Sequence, residues 1–252
     1  MLGRLSTARF TSGASTASKS DFWFVKEGAE LVGFSFPTVS STFPKVSCLL
    51  VTQAGREAFA KQAIADFFAQ RYLKKELVVV AEQPIPGVNE IPGLLRIHYF
   101  PAPRPILGEL RNHSVSLARG ELVAIWDDDD RSSPLRVQAQ VDHLISQEAD
   151  VCFIGPIEMR CACGATVTGV ERMWECTMLV KKRCIPRYKL LPKNEDSVLV
   201  AELLEEGKRI ATLRKPSLYT KIFHGANTWD AEHNRHLFEM ASPPHVCKAL
   251  LQ

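Results

Sequence analysis

The sequence predicts an α/β fold built on a central, mostly parallel β-sheet. A short apolar run from Val46 to Val51 precedes an amphipathic stretch from Glu57 to Gln70, and a second apolar run from Glu76 to Val80 follows it. Short apolar runs rich in β-branched residues are typical of buried strands, and apolar residues at the helical period are typical of a helix that packs on a sheet. Such a strand–helix–strand unit joins two parallel strands by a right-handed crossover.

The same alternation continues to about residue 155. Proline and glycine between residues 84 and 93 mark a loop. After this loop we expect, in order, a weak strand at Leu95 to Phe100, a helix from Gly108 to Ala118 that Gly120 ends, a strand at Leu122 to Ile125, a helix that begins at Pro134, and a strand at Val151 to Ile154.

The remaining sequence is less regular. Segments around Cys163 and at Met178 to Val180 indicate antiparallel strands, and a helix is expected from Ser197 to Glu206. We predict a tail and N-terminal extension at residues 1–43, one domain at 44–240 and a C-terminal tail at 241–252. Residues 1–20 contain basic residues but no acid, which is typical of a transit peptide, but they have no strong apolar face and so favour a disordered tail.

Composition excludes several classes of protein. The chain has 252 residues, of which 46% are hydrophobic and 23% charged, as is usual for a globular enzyme. A formal net charge of +3 is too small to indicate a nucleic-acid partner. No run approaches the roughly 18 apolar residues that cross a bilayer, so we expect a cytoplasmic protein with at most peripheral membrane association. The seven cysteines include only one tight pair, Cys161 and Cys163, which favours reduced thiols over a zinc site.

The most informative feature is the acidic run Asp127 to Asp130, which directly follows the apolar strand ending at Ile125 and Trp126. Adjacent carboxylates repel one another by about 1 kcal/mol or more per pair at close range. A solvated charge run is the ordinary alternative, but such a run rarely follows a buried strand this closely. Because Mg²⁺ and Mn²⁺ prefer oxygen ligands, we predict a divalent metal at this strand end.

Polar side chains follow three of the predicted strands. Thr52 and Arg56 follow the first strand, Glu82 follows the second, and the acidic run follows the fourth. Ligands of open α/β sheets bind beyond the carboxyl ends of the strands, so these loops would converge on one crevice if the strands are neighbours. A nucleoside diphosphate bound there would meet a metal at the acids and Arg111 from the preceding helix.

Several ordered blocks resemble the family-two glycosyltransferases of the GT-A fold. The resemblance covers roughly residues 46 to 145 and rests on the order of its blocks, since no single block is specific. The blocks are Val46 to Thr52, Ala69-Gln70-Arg71-Tyr72 with Glu76 to Val80, Arg111-Asn112, Ala118-Arg119-Gly120-Glu121 and Asp127 to Asp130, with Asn194-Glu195-Asp196-Ser197 and His224-Gly225-Ala226-Asn227-Thr228-Trp229 further on. The resemblance implies a Rossmann-like three-layer α/β/α fold with a mostly parallel sheet. It also implies an inverting, metal-dependent enzyme that transfers a sugar from a nucleotide donor to a glycan, lipid or small-molecule hydroxyl, often in bacterial surface-polysaccharide synthesis.

The resemblance also implies a role for each matching residue. Asp129 would bind Mn²⁺ or Mg²⁺ directly, His224 could be a further ligand, and Asp196 would be the catalytic base. The donor would contact Thr52, Arg56, Glu82, Arg111, Asp127 and Asp128, with Asp127 facing the sugar or ribose. Trp174 and Glu175 are candidate acceptor residues. The family often has two acids where this chain has Ala81 and Glu82, so the nucleobase stays open.

Each of these roles has a structural alternative. Asp196 precedes a helix and could cap it, His224 could be a hydrogen-bonded loop residue, Trp174 could be a core residue and Arg111 could form a surface ion pair. The alternative functions are a sugar nucleotidyltransferase, which would usually carry a glycine-rich phosphate loop, a non-catalytic nucleotide- or carbohydrate-binding module, and a regulatory metal-binding domain.

Overall fold

The computed structural model describes residues 23–27, 30–34, 43–100, 106–161, 164–191, 193–224, 227 and 231–241. The chain divides into two compact units, residues 1–40 and residues 41–252. In the first unit, strands β1 (Trp23–Glu27) and β2 (Glu30–Phe34) pair antiparallel. This hairpin lies within the region that the sequence analysis treated as a tail and N-terminal extension, and the sequence analysis did not predict it.

The second unit contains the remaining elements. Its strands are β3 (Val46–Thr52), β4 (Lys75–Ala81), β5 (Leu95–Tyr99), β6 (Leu122–Ile125), β7 (Arg131–Ser132), β8 (Val151–Ile154), β9 (Glu158–Cys161), β10 (Thr166–Thr168), β11 (Leu179–Lys181), β12 (Ile210–Leu213) and β13 (Tyr219–Phe223). Its helices are α1 (Glu57–Phe68), α2 (Leu107–Leu117), α3 (Arg136–Ser146), α4 (Glu195–Glu205) and α5 (Ala231–Ala241). The elements predicted between residues 46 and 154 are all found, with ends that differ by at most about two residues.

Seven strands form the main sheet in the order β12-β8-β11-β6-β3-β4-β5. Strand β11 is antiparallel to both of its neighbours, and the other pairs are parallel. The predicted mostly parallel sheet is therefore confirmed. A smaller sheet has the order β10-β9-β13-β7, and its strands β9 and β10 flank Cys163, which itself lies outside the described residues.

Alternating residues of the strands pack on opposite faces of the main sheet. On one face, Cys48 and Leu50 join a core with side chains of α1 and α3. On the other face, Leu49 joins a core with residues of α2 and α4. Parallel strands covered on both faces are apolar along their whole length, which explains the continuous apolar runs in the sequence. None of the described helices has the length and hydropathy that a membrane span requires.

The second unit also contains a disulfide-bonded cysteine and a third core cluster. Four described cysteines are free, but Cys161 is disulfide-bonded, so the expectation of reduced thiols is wrong for this residue. A third core cluster joins the smaller sheet to α5 through Tyr219, Phe223 and Phe238. The cluster packs α5 against β13.

A buried carboxylate ties together the amino ends of the central strands. Glu76 is 1% exposed. It accepts hydrogen bonds from Ser47 Oγ at 2.7 Å, the Arg119 backbone N–H at 2.7 Å and Lys45 Nζ at 2.8 Å. The Gly120 N–H donates to Ser47 Oγ at 2.8 Å, and a Cβ at Gly120 would lie 2.6 Å from the Lys45 carbonyl oxygen. A glycine is therefore required where α2 leads into β6.

We expect the Glu76→Gln substitution to lower the free energy of unfolding by about 2–3 kcal/mol at pH 7, since it removes the charge from three hydrogen bonds. Burial acts to raise the pKa of Glu76, but Lys45, Ser47 and the Arg119 N–H outweigh it and lower the pKa. A lowered pKa contributes stability above the unfolded value, and this contribution is lost as the pH falls through the folded value. Urea denaturation at pH 7 and pH 3.5 should show the difference between wild type and variant shrinking at the lower pH. The exposed Glu205→Gln variant is the control, and a pH-independent difference would contradict this account.

Candidate active site

The carboxyl ends of β6, β3 and β4 lie side by side because these strands are neighbours in the main sheet. The predicted convergence of their loops is therefore confirmed. A cleft of about 330 Å³ opens at this edge. The predicted site residues that line it are Arg56, Arg111, Asp127, Asp128, Asp129, Trp174, Glu175 and Asp196. Thr52, Glu82 and His224 are not among its lining residues.

The four aspartates after β6 alternate in environment. Asp128 is buried and accepts hydrogen bonds from Thr52 Oγ1 at 2.8 Å and from Arg56 Nε at 2.9 Å. Asp130 is also buried and accepts from the Tyr219 hydroxyl at 2.6 Å. Asp127 and Asp129 are only partly buried. The buried pair therefore anchors the loop, and the other two carboxylates are available to a ligand.

Three basic side chains from other elements neutralise much of this negative charge. Arg56 Nη2 lies 2.6 Å from Asp128 and 2.7 Å from Asp129, Arg111 Nη2 lies 3.5 Å from Asp127, and Lys221 Nζ lies 3.4 Å from Asp130. The hydrogen bond to Asp128 is the main cause that raises the pKa of Arg56 above its ordinary value. The sequence predicted a metal as the neutralising charge, whereas the protein itself supplies part of that charge.

The pKa values of the acids differ accordingly. Burial raises the pKa of Asp130 to about 6. Burial also raises the pKa of Asp127, although Arg111 opposes the effect. For Asp129, burial acts in the same direction, but Lys221 and Arg56 outweigh it and the pKa is lowered. Of these three carboxylates, Asp129 is the one whose surroundings favour the ionised form that a metal requires.

A buried arginine contacts the end of β6, the strand that leads into the acidic loop. Arg136 is almost fully buried, and its Nη2 donates to the Ile125 carbonyl at 2.8 Å and to the Cys176 carbonyl at 3.3 Å. Its guanidinium lies between the rings of Trp126 and Tyr219, at 4.9 and 4.7 Å from their centroids. These contacts hold the end of β6 against the smaller sheet, which fixes where the aspartates lie.

The histidine predicted as a metal ligand lies next to the aspartate predicted to bind the same ion. His224 Nε2 is 3.1 Å from Asp129 Oδ2, and its ring packs at a tilt of 31° against Phe59, with 4.6 Å between the centroids. The side chain of Asn227, a residue to which the sequence assigned no role, accepts from the His224 backbone N–H at 3.0 Å. A carboxylate oxygen and an imidazole nitrogen therefore converge beside the cleft.

The Asp129 carboxylate and the His224 imidazole fit a divalent cation such as Mn²⁺ or Mg²⁺, since carboxylate oxygens and imidazole nitrogens can ligate these ions. Among the described residues, a second group of possible ligand atoms, from Asp127, Asp130 and Cys176, lies within 4.8 Å of one another. Asp130 already accepts hydrogen bonds from Tyr219 and from the Ile222 N–H. Burial raises the pKa of the Cys176 thiol to about 12, so this group is the poorer site for Mn²⁺ or Mg²⁺.

The opposite wall of the cleft is the first turn of α4. Glu195 is 2% exposed and accepts from Arg111 Nε at 3.1 Å. Asp196 is partly exposed and lines the cleft, and its Oδ1 accepts from the Ser197 N–H at 2.8 Å. Arg111, expected to contact the donor, thus bridges Asp127 and the helix that carries Asp196. Burial raises the pKa of Glu195, although Arg111 opposes the effect.

The candidate acceptor residues form a linked group beside α4. Trp174 is 3% exposed and donates from Nε1 to the Val170 carbonyl at 3.1 Å. Arg172 lies 4.8 Å above the Trp174 ring and pairs with Glu175 at 2.8 Å. Glu175 also accepts from Ser197 Oγ at 3.1 Å. The acceptor role of these residues stays a prediction, and Trp174 offers little exposed ring surface for stacking.

Thr52 and Glu82, which were predicted to contact the sugar-nucleotide donor, form hydrogen bonds with the loops beside the cleft and do not line it. The hydroxyl of Thr52 is used in its bond to Asp128. Glu82 accepts from the Ala54 N–H at 3.1 Å and from Gln53 Nε2 at 3.2 Å, so it orders the turn after β3. Gly55 in that turn has a φ of +81°, which favours glycine. Donor contact by Thr52 and Glu82 stays a prediction.

Lys221 is the main residue that sequence reasoning missed. It lines the cleft together with Lys193, Asn194 and Asn227, none of which was predicted to be in the site. The available signal was a lysine between Tyr219 and Phe223 at the two-residue period of a strand, where an apolar residue is expected.

Comparison with known proteins identifies the class. The profile of the family described as glycosyl transferase family 2 matches residues 48–178, which is just over half of the chain. The protein therefore belongs to this family and is a glycosyltransferase, as the sequence resemblance predicted. A search of curated protein sequences gives no match.

Solved structures show the same fold at low sequence identity. The S. aureus TarS 1–349 structure in complex with UDP-GlcNAc is 16% identical, with a TM-score of 0.57 over 82% of this chain and 70% of that chain. The mannosyltransferase PcManGT from Pyrobaculum calidifontis, in complex with GDP-Man and Mn²⁺, is 14% identical, with a TM-score of 0.54 over 84% of this chain and 66% of that chain. The longer S. aureus TarS structure is matched over only 42% of its chain. The expected GT-A fold is thereby confirmed.

We expect the buried pair of Arg111 and Glu195 to be strongly coupled. Arg111→Met leaves Glu195 buried without its partner, so the free energy of unfolding should fall by about 3–5 kcal/mol. Adding Glu195→Gln should restore part of this loss, which a double-mutant cycle by urea denaturation would measure.

The exposed pair of Arg214 and Glu171 provides a matched control, because their side chains are 74% and 47% exposed. Arg214→Met should cost less than about 1 kcal/mol. Strictly additive effects of the Arg111 and Glu195 substitutions would contradict the proposed coupling.

Proposed function

We propose that this glycosyltransferase is inverting and metal-dependent, and that it moves a sugar from a nucleoside-diphosphate-sugar donor to an acceptor hydroxyl. The main support is that two possible metal ligands from distant parts of the chain meet beside the cleft. Asp129 Oδ2 and His224 Nε2 lie 3.1 Å apart although the residues are 95 positions apart in sequence. Asp196 lies on another wall of the same cleft.

Asp129 and His224 would hold Mn²⁺ or Mg²⁺. When bound, the metal would neutralise negative charge on the diphosphate. The mannosyltransferase PcManGT was solved with GDP-Man and Mn²⁺, which supports a divalent cation in this fold. Arg56 Nη2 lies 2.7 Å from the same Asp129 oxygen, so a bound metal would compete with Arg56 for it. The bonds from Arg56 to Asp128 would hold its guanidinium at the edge of the cleft.

The donor would lie along the carboxyl ends of β3 and β6, where Arg56, Arg111, Asp127 and Asp128 line the cleft. The guanidinium groups suit phosphate oxygens, because their planar donors match that geometry. Asp127 would accept from hydroxyls of the sugar or ribose. The solved neighbours bind UDP-GlcNAc and GDP-Man, respectively, so both nucleotides are reasonable probes.

Asp196 would be the general base. Its carboxylate would take the proton of the acceptor hydroxyl as that oxygen attacks the anomeric carbon from the face opposite the leaving diphosphate. A single displacement of this kind inverts the anomeric centre and needs one carboxylate. The acceptor would approach along the wall formed by Trp174 and Glu175. The acceptor would be a hydroxyl of a glycan, a lipid or a small molecule, in surface-polysaccharide synthesis or a related pathway.

We expect Asp129→Asn to weaken Mn²⁺ binding by about tenfold or more, because it removes a charged ligand. Isothermal titration calorimetry with MnCl₂ would measure this directly, without turnover. The exposed Asp142→Asn variant on α3 makes the same chemical change away from the cleft and should bind Mn²⁺ like the wild type. Equal Mn²⁺ affinity in Asp129→Asn and wild type would exclude Asp129 as a ligand.

We expect Asp196→Asn to lower turnover by about 10²–10⁴-fold, the usual contribution of a general base. Release of UDP from UDP-GlcNAc and of GDP from GDP-mannose, each with Mn²⁺, is the assay. Binding of UDP or GDP should survive, because Asp196 is not expected to contact the diphosphate.

The exposed Glu205→Gln variant on the same helix is the control for the Asp196 experiment. Unchanged turnover in Asp196→Asn would remove the base assignment. A wild-type protein that binds a nucleotide but never releases diphosphate from any donor would instead indicate a non-catalytic binding module.

A further inference from the structure

A lysine occupies an inward-facing position of β13. Side chains alternate along a strand, so Tyr219, Lys221 and Phe223 share one face. Tyr219 is 1% exposed and Phe223 is 6% exposed. The side chain of Lys221 between them is 22% exposed. Placing a charged ammonium group among buried aromatic residues costs free energy unless the group pairs with an anion. We therefore expect Lys221 to have an anionic partner.

The immediate partner of Lys221 does not need it for hydrogen bonding. Lys221 Nζ lies 3.4 Å from Asp130 Oδ2. The same carboxylate already accepts from the Tyr219 hydroxyl at 2.6 Å and from the Ile222 N–H at 2.9 Å. The contact with Lys221 is the longest of the three. The ammonium group can therefore turn to another acceptor while Asp130 keeps two good hydrogen bonds.

The charge of Lys221 is permanent under ordinary conditions. Burial acts to lower its pKa, but Asp130, Cys176, Asp127 and Asp129 outweigh burial and raise the pKa above its ordinary value. Lys221 also lines the cleft, together with Arg56 and Arg111. Among the described basic residues that line the cleft, Lys221 is the one on a strand of the smaller sheet. Arg56 precedes α1, and Arg111 belongs to α2.

We propose that Lys221 contacts the diphosphate of the donor and stabilises the charge that develops on it during transfer. This inference rests on the proposed function. In the step, the acceptor oxygen forms a bond to the anomeric carbon while the bond from that carbon to the diphosphate oxygen breaks. The bonding electron pair stays on the diphosphate oxygen, and the acceptor proton goes to Asp196. Lys221 keeps its protons and donates a hydrogen bond to the diphosphate.

This role predicts opposite effects on two ligands. The ammonium group of Lys221, which interacts electrostatically with Asp127, Asp129 and Asp130, repels a divalent cation but attracts a diphosphate. Removal of its charge should therefore leave Mn²⁺ binding equal or tighter and weaken diphosphate binding. A lysine that only neutralised Asp130 would behave differently, because its loss would destabilise the fold without selecting between the two ligands.

The test compares Lys221→Met and Lys221→Gln with wild type, using calorimetry with MnCl₂ alone and with UDP or GDP at saturating Mn²⁺. Both variants should bind the diphosphate about tenfold or more weakly and Mn²⁺ at least as tightly as wild type. Lys221→Gln keeps a polar group for Asp130, so it covers the case in which Lys221→Met does not fold. Lys221→Arg should bind the diphosphate within a few-fold of wild type, because it restores the charge.

The Lys61→Met variant, at an exposed position of α1, is the control and should match wild type. Diphosphate binding that is equal in wild type and in Lys221→Gln overturns the inference and leaves the proposed function intact. An equal loss of Mn²⁺ and diphosphate binding, with a lowered melting temperature, also overturns it in favour of a structural role. A wild-type protein that binds neither UDP nor GDP with Mn²⁺ overturns the proposed function, and the inference fails with it.

Discussion

The structure depends on neutralising four consecutive carboxylates at the end of one buried strand. No local arrangement of the chain can do this, because adjacent aspartates repel one another and the strand before them is apolar. The compensating charges come from Arg56 before α1, Arg111 on α2 and Lys221 on β13. Each of these elements must pack correctly before its cation reaches the loop. The site is therefore assembled by the same contacts that bring the helices and the two sheets together.

Stability and chemistry occupy opposite ends of the main sheet. At the amino ends, Glu76 is satisfied by Ser47, Lys45 and the Arg119 N–H, and no ligand is needed there. At the carboxyl ends, Asp127 and Asp129 remain partly exposed and retain capacity for a ligand. In a parallel sheet all strand starts lie at one edge and all strand ends at the other, so this separation follows from the topology.

Ion pairs connect the two walls of the cleft, which are formed by the loop after β6 and by the first turn of α4. Arg111 bridges Asp127 at the end of β6 and Glu195 in the first turn of α4, next to Asp196. A donor that contacts Asp127 would therefore act on the same arginine that positions the helix of the proposed base. Glu175 and Ser197 make a second link between this helix and the segment that carries Trp174. The geometry of the proposed base and of the proposed acceptor wall thus depends on residues that are far apart in sequence.

The sequence alone determined the parallel α/β core, the acidic loop and the family, because apolar periodicity and ordered blocks are local signals. It placed Arg56, Arg111 and the aspartates at one edge correctly, since strand ends of a parallel sheet must converge. It did not predict the β1–β2 hairpin, the disulfide at Cys161, the bond that uses the Thr52 hydroxyl, or the position of Lys221. These features arise from contacts between distant segments, and the direction of one side chain in a folded strand is set by packing that no local pattern encodes. Only the tertiary structure could decide which cation faces which carboxylate.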